Sequence, residues 1–380
     1  MKLAVLGASG FVGSRVIECF HLNGVFELRA VVRSYGGLAR LARFELDWRL
    51  ADARNEQALA DAFSGCDVVL HSVSGDAPFI RDSAISAYRA AVRQNVRRLV
   101  FLSSAVVHGQ KPAPGTTEDS PLASREPPYN QGYNQAKIIA EQLLLKERAA
   151  GSTELVILRP CIVFGPRAKW IYRPAQELLE GTFAWVNRGR GICNSIYVDN
   201  LVEAIRLALT VPNVDREAFL VGDRETVTWV DLYGPIVRAL GFELEAVPSV
   251  LPPGSRVGWR GLFKKFYGSR PAQAVIPWFP GRLRRAVKEG LREWLRAPAR
   301  SPWDVSPAPA PTQVISPESE LLYQCEYRLP HLKAEQRLGY APPVSFPEGV
   351  RRSIAWLASV GYPVRSVPPI EEGVPRYRQS

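Results

Sequence analysis

The chain has 380 residues, 46% of them hydrophobic and 22% charged, with a net charge of +11. That length supports a large core, either as one big α/β domain or as two smaller ones, and no apolar run approaches the roughly twenty residues that span a bilayer. The charge is local: residues 251–300 hold twelve Lys and Arg against two acids, while the rest of the chain balances at 36 against 35, so a general nucleic-acid-binding surface is not expected.

The chain opens on an apolar run, Lys2 to Leu6, that reads as a buried strand. Gly7, Gly10 and Gly13 follow, and then Val12, Val16, Ile17 and Phe20 recur at helical spacing. Strand, glycine turn and helix together present backbone N–H groups and a helix N-terminus to a pyrophosphate. The spacing is G-x-x-G-x-x-G rather than G-x-G-x-x-G. Glu27 to Val32 is a second strand, ending at Arg33 with Arg40 and Arg43 beyond it. An acid at this place takes the ribose 2′-hydroxyl of NAD, whereas an arginine favours the 2′-phosphate of NADP, so NADP is expected over NAD.

Strand and helix go on alternating. Phe44 to Leu50 reads as a third strand closed by Asp52, Asn55 to Phe63 as a helix, and Asp67 to His71 as a fourth strand running into the turn Ser72–Gly75. A helix over 82–94 precedes a fifth strand, Arg98 to Ser103. Tyr133 to Ala149 is a long helix, and Glu154 to Arg159 a sixth strand running into RPCIVFGP. Helices are expected at Arg173–Glu180, Asp199–Leu209 and Asp231–Leu240, with a last strand at Ala218–Val221. The alternation predicts a Rossmann-type, doubly wound parallel sheet of about seven strands.

From Leu251 the texture changes. Residues 251–296 are basic and interleaved with Trp259, Phe263, Phe266, Trp278, Phe279 and Trp294. Residues 297–319 are rich in Pro and Ala and read as a long loop. The basic stretch is open to three readings: a lid over the substrate, a segment lying on a membrane surface, or a solvated flap packed on the core. The N-terminus lacks a basic region, an apolar segment and a cleavage site in that order, so a cytoplasmic location is the default expectation. The five cysteines and four histidines show no metal-ligand spacing, so reduced thiols and no metal site are expected.

Tyr133 and Lys137 stand four apart on one helix face. A phenol titrates near pH 10, and a neighbouring ammonium is expected to lower that value. A Tyr tuned in this way passes a proton to or from an alcohol while a hydride moves at carbon. Ser103 and Ser104 end the fifth strand, where ligands of doubly wound sheets lie; a hydroxyl there holds a substrate oxygen.

The ordered motifs GASGFVG, Asp52, FLSSAVVHG, YNQAKIIAE, RPCIVFGP and YVDNL resemble the extended short-chain dehydrogenase/reductase family, also called the NAD-dependent epimerase/dehydratase family. The resemblance covers Met1 to about Leu240 and resumes from His331 to Val360. It implies a nicotinamide-binding domain of residues 1–165, with 192–222 returning to it, and a smaller, discontinuous C-terminal substrate domain of residues 166–191 and 223–365. It implies that Ser104 orients the substrate oxygen, that Tyr133 is the acid/base, and that Lys137 holds the nicotinamide ribose and tunes Tyr133. It implies cofactor contacts from Gly7, Ser9, Gly10, Phe11, Val12, Gly13, Arg33, Asp52, Ala53, Ser72, Ser103, Pro160, Ile162 and Val163, with Asp52 on the adenine side. A homodimer built through two helices per subunit is a further implication.

Departures from the family pattern narrow the expectation. Ala105 and Val106 stand where the family's 4,6-dehydratases carry an Asp-Glu pair. Ile162 and Cys193 stand where nucleotide-sugar epimerases carry Asn and Arg. The family's Asn before the fifth strand is not evident in the stretch around Ile80. The expectation is therefore an NAD(P)-dependent oxidoreductase acting on a ketone or secondary alcohol. The alternatives are a nucleotide-sugar epimerase with tightly bound NAD, and a non-catalytic dinucleotide binder or membrane-surface scaffold.

Overall fold

A computed structural model describes residues 1–123, 132–250 and 317–367. The basic aromatic stretch 251–296 and the Pro/Ala-rich loop up to residue 316 lie outside the described residues.

The seven apolar runs that alternate with helices form one sheet in the order β10-β6-β5-β4-β1-β2-β3, and every neighbouring pair is parallel. Its strands are β1 (Lys2–Leu6), β2 (Glu27–Val32), β3 (Asp47–Leu50), β4 (Val68–His71), β5 (Arg98–Leu102), β6 (Glu154–Pro160) and β10 (Ala218–Val221). Successive residues of a strand face opposite sides, and both sides are apolar. Leu3, Val5, Val68, Leu70, Val100 and Leu102 join the core under α1 (Phe11–Asn23) and α7 (Val198–Thr210). Ala4, Leu6, Val69, Leu99 and Phe101 join the core under α3 (Glu56–Phe63), α4 (Ala77–Arg93) and α5 (Tyr133–Ala150). A sheet covered on both faces needs continuous apolar strands, and these strands have them. The strand order reverses between β1 and β4, so the crevice for a ligand opens beyond their carboxyl ends.

Two small parallel pairs lie outside the main sheet: β7 (Ile162–Phe164) with β9 (Ser195–Tyr197), and β8 (Trp185–Val186) with β11 (Ser249–Val250). They border a third core of Phe164, Ile171, Trp185, Tyr197, Trp229, Phe346 and Ile354. That core joins α6 (Lys169–Leu179), α8 (Trp229–Ala239) and the last helix, α11 (Phe346–Ser359). The short helices α2 (Tyr35–Leu38), α9 (Pro317–Tyr323) and α10 (Leu332–Leu338) complete the described elements.

Three elements start three or more residues away from expectation. Helix α4 begins at Ala77 rather than 82, because the Asp76 carboxylate accepts from the Phe79 N–H at 2.9 Å and starts the helix there. Strand β3 begins at Asp47 rather than Phe44, because residues 39–44 wind into tight turns in which the Phe44 N–H reaches the Leu41 carbonyl. Helix α6 begins at Lys169, four residues ahead of the expected start, and carries Pro174 within it.

The tail is stitched to the sheet. Asn200 exchanges two hydrogen bonds with the Val344 backbone, at 2.8 and 2.9 Å, and Tyr340 donates to the Gly222 carbonyl at 3.0 Å. Leu329, Leu338 and Tyr340 sit in the same core as Phe219 and Leu220.

Candidate active site

Residue type sets the glycine turn. Gly7 has φ +88, in the region that side chains rarely adopt, and a Cβ there would come within 3.0 Å of the Ser72 carbonyl oxygen. A Cβ on Gly13 would press on the Gly7 carbonyl and lie 2.9 Å from its carbon. The turn therefore folds tightly against the start of α1, leaving the crevice wall to Phe11 and Val12. Ser72 is fixed by donating its hydroxyl to the Leu6 carbonyl at 2.8 Å.

Beyond β1 and β5 lies a cavity of about 680 Å³. Phe11, Val12, Ser103, Ser104, Tyr133, Pro160, Ile162 and Val163 all line it. So do Asn134, Arg167, Lys169, Trp170, Tyr172, Leu322 and Leu329, most of them from the loop before α6, the start of α6 and the tail. Among the described residues no Asp or Glu lines it. Gly7, Ser9, Gly10, Arg33, Asp52 and Ala53 do not line this cavity; they belong to the turns after β1, β2 and β3. Asp52 pairs with Arg54 at 3.2 Å, and Arg33 is close enough to add to the lowering of its pKa.

Tyr133 is the first residue of α5, and Ser104 precedes the turn that follows β5. The phenol is hydrogen-bonded to the Ser104 hydroxyl, which lowers its pKa, but burial has the larger effect and the net shift is upward. Tyr133 as a residue is 43% exposed by area, so the burial that raises its pKa acts at the hydroxyl and is not enclosure of the whole residue. The expectation that Lys137 lowers the Tyr133 pKa is thus corrected. The ammonium lies 5.8 Å from the Tyr133 ring centroid and 4.7 Å from that of Phe101, and its Nζ donates to the Leu102 carbonyl at 2.6 Å. Lys137 is 2% exposed and does not line the cavity. Burial pushes its pKa down to about 8, against an upward pull from Glu141 one turn further on. Glu141 is itself held by a buried ion pair with Arg159 at 2.7 Å.

Two buried polar atoms of the cavity wall have no hydrogen-bond partner among the described residues: the Ser103 hydroxyl and Asn134 Nδ2. An unpaired buried polar group costs roughly 1–3 kcal/mol, so both are groups that a ligand in the cavity would satisfy. Ser103 was legible as a residue at the end of a sheet strand. Asn134 was not, because a residue next to Tyr133 on a helix carries no periodic signal toward the same cleft. Cys193 is 2% exposed and lies away from the cavity, whereas Ile162 lines it.

Comparison with known proteins gives the family and the fold. A family model described as the NAD dependent epimerase/dehydratase family matches residues 3–222. The 4-hydroxy-2-methyl-3-oxo-4-farnesyl-3,4-dihydroquinoline-1-oxide ketoreductase of Stigmatella aurantiaca is 27% identical over 219 residues, a match that spans 55% of this chain and 64% of that relative. The 2-alkyl-3-oxoalkanoate reductase of Shewanella oneidensis is 25% identical over 65% of this chain and 68% of its own. In fold, the chain is similar to the UDP-glucose 4-epimerase of Thermotoga maritima, with a TM-score of 0.66 and 19% identity over 95% of this chain and 99% of that one.

Proposed function

Because the chain belongs to the NAD-dependent epimerase/dehydratase family, we propose that it is a nicotinamide-dependent oxidoreductase of ketones or secondary alcohols, with NADP(H) as its preferred cofactor. The residues present fit that group. The glycine turn leaves no room for a Cβ, and Ser103 and Asn134 hold unpaired polar atoms in the cavity wall. Arg33 directly follows β2, where NAD enzymes carry an acid, and Arg40 lies beyond it with its guanidinium 3.3 Å from the Ser9 carbonyl. When bound, the nicotinamide supplies or takes up the hydride.

The chain's own part is to hold the carbonyl and move a proton. Ser104 donates to the substrate oxygen and polarises it. Tyr133, a phenol whose pKa burial raises further, gives its hydroxyl proton to that oxygen as the alcohol forms and is reprotonated from solvent. Lys137 stands one helical turn beyond the phenol with its Nζ on the Leu102 carbonyl, and by the family pattern it would hold the nicotinamide ribose. Apolar walls from Trp170, Tyr172, Leu322 and Leu329 suit a hydrophobic ketone better than a sugar.

The observation that carries this reading is the meeting of Tyr133 and Ser104 on one largely apolar cavity that no carboxylate lines among the described residues. Elimination of water needs an acid/base pair where Ala105 and Val106 stand, and grip on a nucleotide diphosphate would have to come from a site where Cys193 is buried. Ketone reductases among the relatives agree in direction. The test is consumption of reduced nicotinamide with a panel of hydrophobic ketones, beside isomerisation of UDP-sugars without net cofactor turnover. Isomerisation with no turnover on any ketone would replace this reading with the epimerase one. The scaffold reading leans on residues 251–296, outside the described residues; it would prevail if Tyr133→Phe left the biological role intact.

A further inference from the structure

Arg167 is an exposed cation that has no carboxylate partner among the described residues. It follows Gly165 and Pro166 in the loop between β7 and α6, and holds φ +72, a region in which a non-glycine residue is strained. Its guanidinium donates to the Ser14 hydroxyl at 3.2 Å, across 153 residues of sequence, and so touches the first turn of α1. Solvent reaches one flank, while protein packed on the other and the like charges of Arg40 and Arg43 lower its pKa. Glu18, whose charge acts on Arg167, is already taken by Arg15 at 2.8 Å and Arg43 at 2.7 Å. Among the described residues neither Arg167 nor Arg40 has a carboxylate partner. Two unneutralised guanidinium groups, from separate parts of the chain, thus lie at the glycine turn and the start of α1. The same short loop leads into Lys169, Trp170 and Tyr172, which form one wall of the substrate cavity.

We infer that Arg167 is a phosphate ligand for the dinucleotide, delivered to the glycine turn by the substrate-side loop, so that loading the cofactor sets the wall of the substrate cavity. Bound phosphate supplies the counter-charge that Arg167 and Arg40 lack. Left-handed backbone at a residue that would be relaxed as glycine is then strain kept for a contact made only with the ligand. Carbonyl substrate would enter after the cofactor, because the wall formed by Trp170 and Tyr172 is set by the contact Arg167 makes. The inference rests on the dinucleotide reading above and adds a residue and an order of binding to it.

The test uses the full chain with ADP as the probe, adenosine as the uncharged control, and Arg167→Gly as the variant. Glycine accepts φ +72, so the ligand-free variant should melt at the same temperature as the parent or higher. ADP should bind at least ~10-fold more weakly, the loss of one charge-assisted contact, with adenosine unchanged and the salt dependence of ADP binding flattened. ADP should also alter the Trp170 component of fluorescence, defined by difference from Trp170→Phe, in the parent and not in Arg167→Gly. Equal ADP affinity in parent and variant overturns the inference while leaving the oxidoreductase reading intact. The same holds if ADP is unaffected and only the KM of an acidic ketone rises, since the anion would then belong to the substrate. A parent chain that binds neither ADP nor reduced nicotinamide overturns both.

Discussion

Replacing Lys137 with Met should make the protein more stable at neutral pH while abolishing its chemistry. The side chain is 2% exposed, and among the described residues its hydrogen bond goes to the Leu102 carbonyl. Burial takes its pKa from 10.5 to about 8. At about 1.4 kcal/mol per tenfold, that difference is a penalty of about 3 kcal/mol on keeping the amine charged in the native state. The sign follows from proton counts. Between about pH 8 and 10.5 the unfolded chain binds more protons at this residue than the native one, so the stability attached to Lys137 rises with pH across that window. Methionine matches the length of the stem and carries no charge, but it leaves the Leu102 carbonyl without this donor, at a cost of about 1 kcal/mol. Lys137→Met should therefore gain about 2 kcal/mol at about pH 7, and the gain should shrink and vanish by about pH 10. Urea unfolding of both proteins at several pH values measures it. A difference that stays flat with pH, or a variant less stable at neutrality, would refute the claim that burial strains this amine.

Tyr133→Phe should reduce turnover by at least ~100-fold, the usual worth of a positioned acid/base, with reduced-nicotinamide affinity held within about twofold in a fluorescence titration. Gly13→Ala should destabilise by about 1–3 kcal/mol, because its Cβ meets the Gly7 backbone, which cannot yield, and should weaken cofactor binding as well. Gly24→Ala, at φ +62 in open space, should cost about 1 kcal/mol and leave cofactor affinity unchanged; equal binding losses in the two variants would refute the packing argument. Glu141→Gln breaks the buried pair with Arg159 and should cost about 3–5 kcal/mol in chemical unfolding. It should also move the titration of Lys137 further down, since Glu141 is what pulls it up.

Much of the sheet was legible because its strands are short apolar runs bounded by turns, and all seven appear within three residues of their expected bounds. The glycine turn and the Tyr133–Lys137 spacing were legible for the same reason: each is a local pattern with one geometric meaning. What could not be read was environment. A four-residue spacing says that Tyr133 and Lys137 share a face, but not that Lys137 faces inward to the Leu102 carbonyl and leaves the phenol governed by burial. Arg167 was invisible as a site residue because its contact with Ser14 is made by the fold, not by any spacing along the chain. Helix α4 was begun late because the cap at Asp76 outweighs the turn-like stretch before it.

The stitching of the tail to the sheet bears on how the chain is made. Leu329, Leu338 and Tyr340 complete the packing over Phe219 and Leu220, and Val344 satisfies both ends of the Asn200 amide. During synthesis, everything up to residue 222 leaves the ribosome well before those partners exist. Until then the Asn200 amide has only its bond to the Asp223 carboxylate, at 2.7 Å, and one flank of the sheet is bare, so the native core closes only once residue 344 has been made.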